Sequence, residues 1–121
     1  MSKKILVIED TEDNRQILRD LLGMAGYEMV EAHDGAEGVA KAVEHKPDLI
    51  LMDIQMPVMD GYEATRRIKA DPALNSIPII AVTSYALSGD EQKARAAGCD
   101  GYIAKPYSPR QMLAKVREVI G

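Results

Sequence analysis

The chain has 121 residues, of which 46% are hydrophobic and 28% charged, and its formal net charge at neutral pH is -4. This length suits one compact domain that folds without a disulfide or a metal, and the negative charge argues against a protein that binds nucleic acid or anionic membranes. The single cysteine, Cys99, excludes an internal disulfide and favours a cytoplasmic protein, and no apolar stretch has the length of a membrane-spanning helix or the form of a signal peptide.

Five short apolar runs, rich in β-branched residues, are predicted to be strands because they alternate with longer segments of helical periodicity. Three of these runs are continuously apolar, as in central parallel strands that are covered on both faces. The second run has mixed polarity, as expected for an edge strand. In chain order the predicted strands are Ile5–Ile8, Glu28–Glu31, Leu49–Met52, Ile79–Val82 and Gly101–Ala104.

The intervening segments carry the usual signals of helix beginnings. Two of them have a capping residue three positions before a Glu, which is the spacing of a capping box, and a third has Pro at its first helical position. The residues expected to cap helices are Asp34, Asp60, Ser88 and Ser108. The first helix should begin between Thr11 and Asp13 and bury one apolar stripe, made of Ile17, Leu18, Leu21 and Leu22.

Helix ends are also marked. Gly26 and Gly98 follow helical segments and suit the left-handed position after a helix, and Pro47 stops the second helix. Five strand–helix pairs with short connections predict an α/β fold with a single doubly wound, five-stranded parallel sheet and right-handed crossovers. We expect residues 1–121 to form this one domain, with no output domain.

Polar residues follow four of the five predicted strands. In an open parallel sheet the carboxyl ends of the strands meet at one edge, and ligands bind there. The sequence therefore places three carboxylates, hydroxyl groups and one ammonium group at a common edge. The residues are Glu9 and Asp10 after the first strand, Asp53 after the third, Thr83 and Ser84 after the fourth, and Lys105 and Pro106 after the fifth.

This combination of residue types points to phosphoryl transfer. Three neighbouring carboxylates repel one another unless a cation joins them, and hard oxygen ligands with open positions suit Mg²⁺. An aspartate is a known covalent phosphoryl acceptor, and Asp53 follows a rigid buried strand. Lys105 would neutralise charge on the phosphoryl oxygens, and the hydroxyl of Thr83 would donate to one of them.

Each of these residues also has an ordinary structural explanation. Asp53 could cap a turn before Pro57, and Glu9 and Asp10 could be solvated acids near a helix N-terminus. Lys105 could be a surface lysine. Their joint appearance at four strand ends on one edge favours the functional interpretation.

With these residues in place, the sequence resembles a bacterial response-regulator receiver domain over essentially its whole length. The resemblance is carried by the segments ILVIEDTEDN, DLILMDIQMPVMDGYE, IIAVTSYA and GCDGYIAKP. Among receivers the chain is most similar to stand-alone, DivK-like members, which act in phosphorelays and cell-cycle control. The resemblance implies a flavodoxin-like three-layer fold with strand order 2-1-3-4-5 and a cis peptide bond between Lys105 and Pro106.

The resemblance further implies a phosphoryl acceptor and a metal site. Asp53 would accept the phosphoryl group. Asp10 and Asp53 would bind Mg²⁺, or Mn²⁺ as a substitute, directly. Glu9 would bind the cation through water and Gln55 through its backbone carbonyl.

Other residues receive roles around this centre. Lys105 would contact the phosphoryl group, and Thr83 and Tyr102 would form a switch pair. Residues expected near the phosphoryl pocket are Met56, Ser84, Tyr85 and Pro106.

The implied partners are a histidine kinase or a histidine phosphotransfer protein as donor, and a downstream target protein. The fourth helix, fifth strand and fifth helix would form the output face. We expect no nucleic-acid or membrane partner, and a monomer or a weak dimer linked to phosphorylation. The protein would not be an enzyme in the usual sense, since it would catalyse only its own phosphorylation and dephosphorylation.

Three alternative functions share some of these features. A phosphatase of the haloacid-dehalogenase kind typically needs a second Asp two residues after the first, and Gln55 stands at that position. A flavodoxin would need a first loop that cradles phosphate, whereas EDTEDN carries carboxylates that repel it. A pseudo-receiver that only binds proteins would not need the intact acidic cluster and Lys105.

Overall fold

The computed structural model describes residues 3–54, 59, 61–83 and 90–120, in which strands and helices alternate along the chain. The strands are β1 (Lys4–Ile8), β2 (Glu28–Ala32), β3 (Leu49–Asp53), β4 (Ile79–Thr83) and β5 (Gly101–Ala104). The helices are α1 (Glu12–Met24), α2 (Gly35–His45), α3 (Gly61–Ala70), α4 (Asp90–Ala97) and α5 (Pro109–Ile120). The predicted strands are confirmed, and four of the five extend one residue further than expected at one end.

All strand pairs in the sheet are parallel, in the order β2-β1-β3-β4-β5. The predicted order is therefore confirmed. Ile8 is paired with Met52, and Asp53 is paired with Val82. Consequently Glu9, the residue after β1, comes level with Asp53 at the carboxyl edge of the sheet.

Aliphatic side chains pack on both faces of the sheet, which makes a three-layer sandwich. On one face the strands contact α2, α3 and α4 through residues such as Ala42, Ile68 and Ala94. On the other face they contact α1 and α5 through residues such as Leu22 and Met112. The central strands β3 and β4 are buried along their whole length, as their continuously apolar sequences predict.

The helix caps agree with the sequence wherever they lie in the described residues. The Asp34 side chain accepts a hydrogen bond from the backbone N–H of Glu37, 2.7 Å away. Ser108 and Gln111 each accept a hydrogen bond from the other's backbone N–H, which is a reciprocal capping box. The expected caps Asp60 and Ser88 lie outside the described residues.

The predicted left-handed glycines are confirmed, since φ is +89° at Gly26 and +114° at Gly98. Lys46, just before Pro47, also has a positive φ, of +45°, which the sequence did not predict.

The expected buried stripe of α1 is wrong at one position. Leu18 and Leu22 are buried, but Ile17 is 56% exposed. Successive residues of a helix are separated by about 100°, so Ile17 lies at the margin of the buried face, where it lines an open cleft instead of the packed interior. Met24, at the end of the same helix, is also exposed.

None of the described helices has the length and apolar character needed to cross a membrane.

Lys69 links α3 to the beginnings of β4 and β5. Its ammonium group donates to the backbone carbonyls of Asn75 and Ile77 and to the Asp100 carboxylate, at 3.2, 2.9 and 2.9 Å. The same Asp100 oxygen accepts the backbone N–H of Ile79. All three ammonium donors are therefore used, and the loop between α3 and β4 is held against the sheet.

We expect Lys69→Met to destabilise the fold by about 1–3 kcal/mol, because it leaves carbonyl groups without their charged donor. Urea denaturation monitored by circular dichroism measures this change. Lys93→Met, at an exposed position on α4, is the control and should change stability much less. Equal stability of the two variants would show that the Lys69 contacts contribute little.

An ion cluster joins α1 to the edge strand β2. Arg19 donates to both carboxylate oxygens of Glu31, at 2.7 and 2.6 Å. These hydrogen bonds are the main reason that the pKa of Glu31 lies below its ordinary value, because they outweigh the opposing effect of burial. The ionised carboxylate is therefore favoured more in the folded state than in the unfolded state.

Because the folded-state pKa of Glu31 is lowered, its stabilising effect is complete above the unfolded-state pKa of about 4.3 and is lost as the pH falls through the lower folded-state pKa. We expect Arg19→Gln to lower the melting temperature at neutral pH, and its difference from wild type to shrink below about pH 4. Lys93→Gln removes the same charge at an exposed position and serves as the control. A difference for Arg19→Gln that is independent of pH would contradict this interpretation.

Candidate functional site

Three carboxylates converge at the carboxyl edge of the sheet, as the sequence predicts. Glu9, Asp10 and Asp53 each place one carboxylate oxygen within 4.8 Å of the other two. Glu9 and Asp53 are only 3% and 5% exposed, whereas Asp10 faces solvent. Two of the three acids are thus held in a buried setting, with the third at its entrance.

The two carboxylate oxygens of Glu9 have different environments. Oε1 accepts a hydrogen bond from the Asn14 side-chain amide at 2.5 Å and lies 3.4 Å from the Lys105 ammonium nitrogen. Oε2 is buried and has no hydrogen-bond partner in the described structure. A buried carboxylate oxygen without a partner is costly, so Oε2 is a candidate ligand for a cation or for a water bound to one.

The pKa of Glu9 reflects competing influences. Burial is the largest and raises the pKa. The adjoining carboxyl group of Asp53 and the hydrogen bond from Asn14 act in the opposite direction, and so does the positive charge of Lys105. Together these interactions outweigh burial and hold the pKa of Glu9 below its ordinary value, so the group is an anion at neutral pH.

Lys105 lies between the two buried acids. Its ammonium nitrogen is 3.4 Å from Glu9 Oε1 and 3.8 Å from Asp53 Oδ1. Its backbone N–H donates to the Thr83 carbonyl at 2.7 Å, which fixes the end of β5 against β4. The peptide bond between Lys105 and Pro106 is cis, as the resemblance implies.

Thr83 and Tyr102 project from the same face of neighbouring strands. Thr83 is completely buried and is level with Ala104, while Tyr102 is level with Ala81. Side chains alternate along a strand, so Thr83 follows Ala81 toward the α3 and α4 side. Tyr102 packs against the core on that side. The proposed switch pair therefore shares one face of the sheet.

Gly61 brings the start of α3 against the acidic site. A Cβ at this position would lie 2.5 Å from the Asp53 carbonyl oxygen and 2.8 Å from Ile54 Cα. The Gly61 N–H donates to the Ile54 carbonyl at 3.1 Å. Glycine is therefore required here for the close approach of α3 to the strand end, because any side chain would collide with backbone atoms.

A cleft of about 580 Å³ opens beside the acids, between α1 and α5. Its walls are largely aliphatic and include Leu18, Val82 and the side chain of Tyr107. Burial raises the pKa of the Tyr107 hydroxyl, and the negative charges of Glu9 and Asp53 raise it further. Tyr107 therefore remains a neutral hydroxyl beside the acidic site.

Gln55, Met56, Ser84 and Tyr85 lie outside the described residues. Of the remaining predicted positions, Pro106 lines the cleft beside Lys105.

Sequence reasoning missed residues that support the acids from α1. Asn14 holds the Glu9 side chain, and Arg15 donates to the Glu9 backbone carbonyl at 2.6 Å. Both lie in the first turns of the helix that follows the acidic pair. This position in the sequence was the one feature that could have indicated a contact with the acids. The partners themselves depend on how α1 lies across the end of β1.

The donor set fits a hard divalent cation. All three groups are carboxylates, one of them exposed to solvent, and Glu9 Oε2 is a buried acceptor without a partner. Mg²⁺ prefers such oxygen ligands and keeps several waters. Glu9, Asp10 and Asp53 are thus suited to hold it.

Comparisons with known proteins agree with this geometry. Residues 5–117 match the family model of the response regulator receiver domain. The chain is 43% identical to the polar-differentiation response regulator DivK of Brucella anthropi, over all of this chain and 98% of that protein. It is also similar to the receiver domain of a sensor histidine kinase from Pseudomonas aeruginosa, with 36% identity and a TM-score of 0.93 over 100% of this chain and 99% of that one. That structure has a magnesium ion coordinated in the active-site cleft.

The chemotaxis response regulator CheY4 of Vibrio cholerae is similar too, with 32% identity and a TM-score of 0.93 over 98% of this chain and 99% of that one. The fold, the strand-end residues and these matches agree. The chain belongs to the response-regulator receiver family, the signalling domains of two-component systems.

Proposed function

We propose that this protein accepts a phosphoryl group on the carboxylate of Asp53 in a reaction that requires Mg²⁺. The donor is the phosphohistidine of a histidine kinase or of a histidine phosphotransfer protein. The observation that carries the proposal is the convergence of a buried Asp53, an unpartnered oxygen of Glu9 and the ammonium group of Lys105 at one strand-end site. The magnesium ion in the similar receiver domain of the P. aeruginosa kinase supports the choice of cation.

In the proposed reaction a carboxylate oxygen of Asp53 attacks the phosphorus atom of the donor. The bond between phosphorus and the histidine nitrogen breaks, and the nitrogen keeps the electron pair. The rigid β3 strand holds the nucleophile in place, which lowers the entropic cost of alignment. The products are an acyl phosphate on Asp53 and a free histidine on the donor.

The surrounding side chains stabilise the incoming charge. Glu9, Asp10 and Asp53 would hold Mg²⁺, which when bound supplies positive charge to the phosphoryl oxygens. Lys105 is 3.8 Å from Asp53, so a small movement of its flexible side chain brings it to a phosphoryl oxygen. Thr83 donates its hydroxyl to another of these oxygens.

Phosphorylation then favours a second packing arrangement. Thr83 moves toward the new oxygens, and Tyr102 turns inward on the same face of the sheet. This is a population shift, because the phosphoryl group makes better contacts in one arrangement than in the other. The α4, β5 and α5 surface changes shape and binds a downstream protein.

A phospho-independent binding module is the second candidate function. It would use the same outer surface without chemistry at Asp53. The buried and electrostatically compensated acids favour phosphoryl acceptance, because a surface used only for binding has no need of buried anions. A phosphatase acting on other substrates is disfavoured by Gln55, which replaces the expected second acid.

We expect incubation with a small phosphodonor and Mg²⁺ to add one phosphoryl group to the wild-type protein, measured by intact-protein mass spectrometry. Asp53→Asn should remain unmodified, because an amide is a far poorer nucleophile than a carboxylate. Chelation of divalent cations should also prevent labelling. Asp20→Asn, at an exposed position on α1, is the matched control and should be labelled like wild type; labelling of Asp53→Asn at the wild-type level would refute the proposal.

We expect Lys105→Met to slow phosphorylation by about 10²–10³-fold, the usual cost of removing one charge-stabilising donor. Cation affinity should stay the same or rise, because a nearby positive charge has been removed. The phosphorylation rate is measured by quenching the labelling reaction at successive times, and the cation affinity is measured separately by Mn²⁺ titration. Lys115→Met on α5 is the control, and a Lys105→Met protein that is labelled at the wild-type rate would exclude this role for the ammonium group.

A further inference from the structure

We propose that Asn14 is a positioning residue of the acidic site: its side-chain amide holds Oε1 of Glu9 and so leaves Oε2 for a divalent cation or for a water bound to it. The inference rests on the proposed function, since it assumes that the three carboxylates bind Mg²⁺. It adds a residue of α1 to a site otherwise built from strand ends.

The first observation is that the two carboxylate oxygens of Glu9 differ in their hydrogen bonding. The Asn14 amide is 2.5 Å from Oε1, while Oε2 is buried without a partner. The carboxylate is planar, so a hydrogen bond at one oxygen restricts rotation of the whole group and fixes the direction of the other. Glu9 is only 3% exposed, so little of its carboxylate is open to bulk water that could compete with the amide.

The second step is the anchoring of the Glu9 backbone. Arg15 donates to the Glu9 carbonyl at 2.6 Å and to the Glu12 carboxylate at 2.6 Å. Its Nε also lies 3.4 Å from Glu31 on β2. Arg15 thus holds the main chain of Glu9, and its neighbour Asn14 holds the side chain. Asn14 therefore orients a carboxylate whose backbone is already fixed.

The third step concerns the competition for Oε1. The Lys105 ammonium nitrogen is 3.4 Å from this oxygen, farther than the Asn14 amide. Without the amide, Lys105 would pair closely with Glu9, since a buried carboxylate takes the nearest donor. Asn14 therefore also keeps Lys105 within reach of Asp53, where phosphoryl transfer needs it.

A neutral amide suits this position. It donates to Oε1 without adding a positive charge beside the cation site, where Lys or Arg would oppose cation binding. A carboxylate of the same shape would repel Glu9. The structure thus gives a physical reason for the residue type as well as for its place on the helix.

We expect Asn14→Leu to weaken Mn²⁺ binding by about tenfold, a usual cost of removing a group that orients a metal ligand. Mn²⁺ alone is the probe, and its free concentration is read from its electron paramagnetic resonance signal without any phosphodonor. Gln16→Leu makes the same amide-to-leucine change at an exposed position of the same helix and should bind like wild type. Melting temperatures establish that each variant is folded under the conditions of the titration.

A double-mutant cycle with Glu9→Met separates positioning from a general effect on α1. Met has nearly the shape of Glu but no ligand oxygen, so Asn14→Leu should cause no further loss in the Glu9→Met background. An equal loss in both backgrounds would overturn the inference. So would wild-type affinity in Asn14→Leu.

The outcome for the wild-type protein distinguishes this inference from the proposed function. Mn²⁺ binding by wild type together with normal binding by Asn14→Leu would overturn the role of Asn14 and leave the cation site intact. Failure of the wild-type protein to bind Mn²⁺ would overturn the cation site and the inference with it.

Discussion

Electrostatic repulsion among three neighbouring carboxylates is the constraint on which the site depends. Glu9 and Asp53 are buried at the ends of rigid strands, and Asp10 stands beside them at the surface. Because the strands are packed on both faces, the acids cannot move apart to relieve the repulsion. The protein compensates with the Lys105 ammonium group and the Asn14 amide, and one oxygen of Glu9 has no hydrogen-bond partner in the described structure. A site built this way attracts further positive charge, which is the physical basis of the proposed cation binding and phosphoryl acceptance.

The fold supplies the rigidity that this arrangement requires. Aliphatic layers cover both faces of the sheet, so the ends of β1, β3 and β4 are set by a packed interior. Gly61 lets the start of α3 approach the Asp53 backbone at a distance that a side chain would forbid. The N–H of Lys105 ties the end of β5 to Thr83. Main-chain contacts thus position the strand-end residues, and side-chain hydrogen bonds and ion pairs set the finer geometry of the site.

Much of this fold was readable from local patterns. Continuously apolar runs identified β1, β3 and β4, because buried parallel strands have no solvent face, and the residues after them had to meet at one edge. The predictions failed where contacts with other parts of the chain decide the burial or the backbone conformation of a residue. Ile17 has the spacing of a core residue, but the direction in which α1 lies on the sheet exposes it. The left-handed backbone of Lys46 was missed because it lacks the glycine that usually marks such a residue.

The sequence by itself determined the element order, the parallel sheet and the identity of the groups at its carboxyl edge. It could do so because strand and helix periods are local properties, and because parallel strands end on the same side. Only the tertiary structure decided which oxygen of Glu9 is occupied, that Asn14 and Arg15 hold this acid, and that Lys105 lies between two carboxylates. Those contacts join residues on different elements, and their distances follow from how α1 and the strand ends pack together.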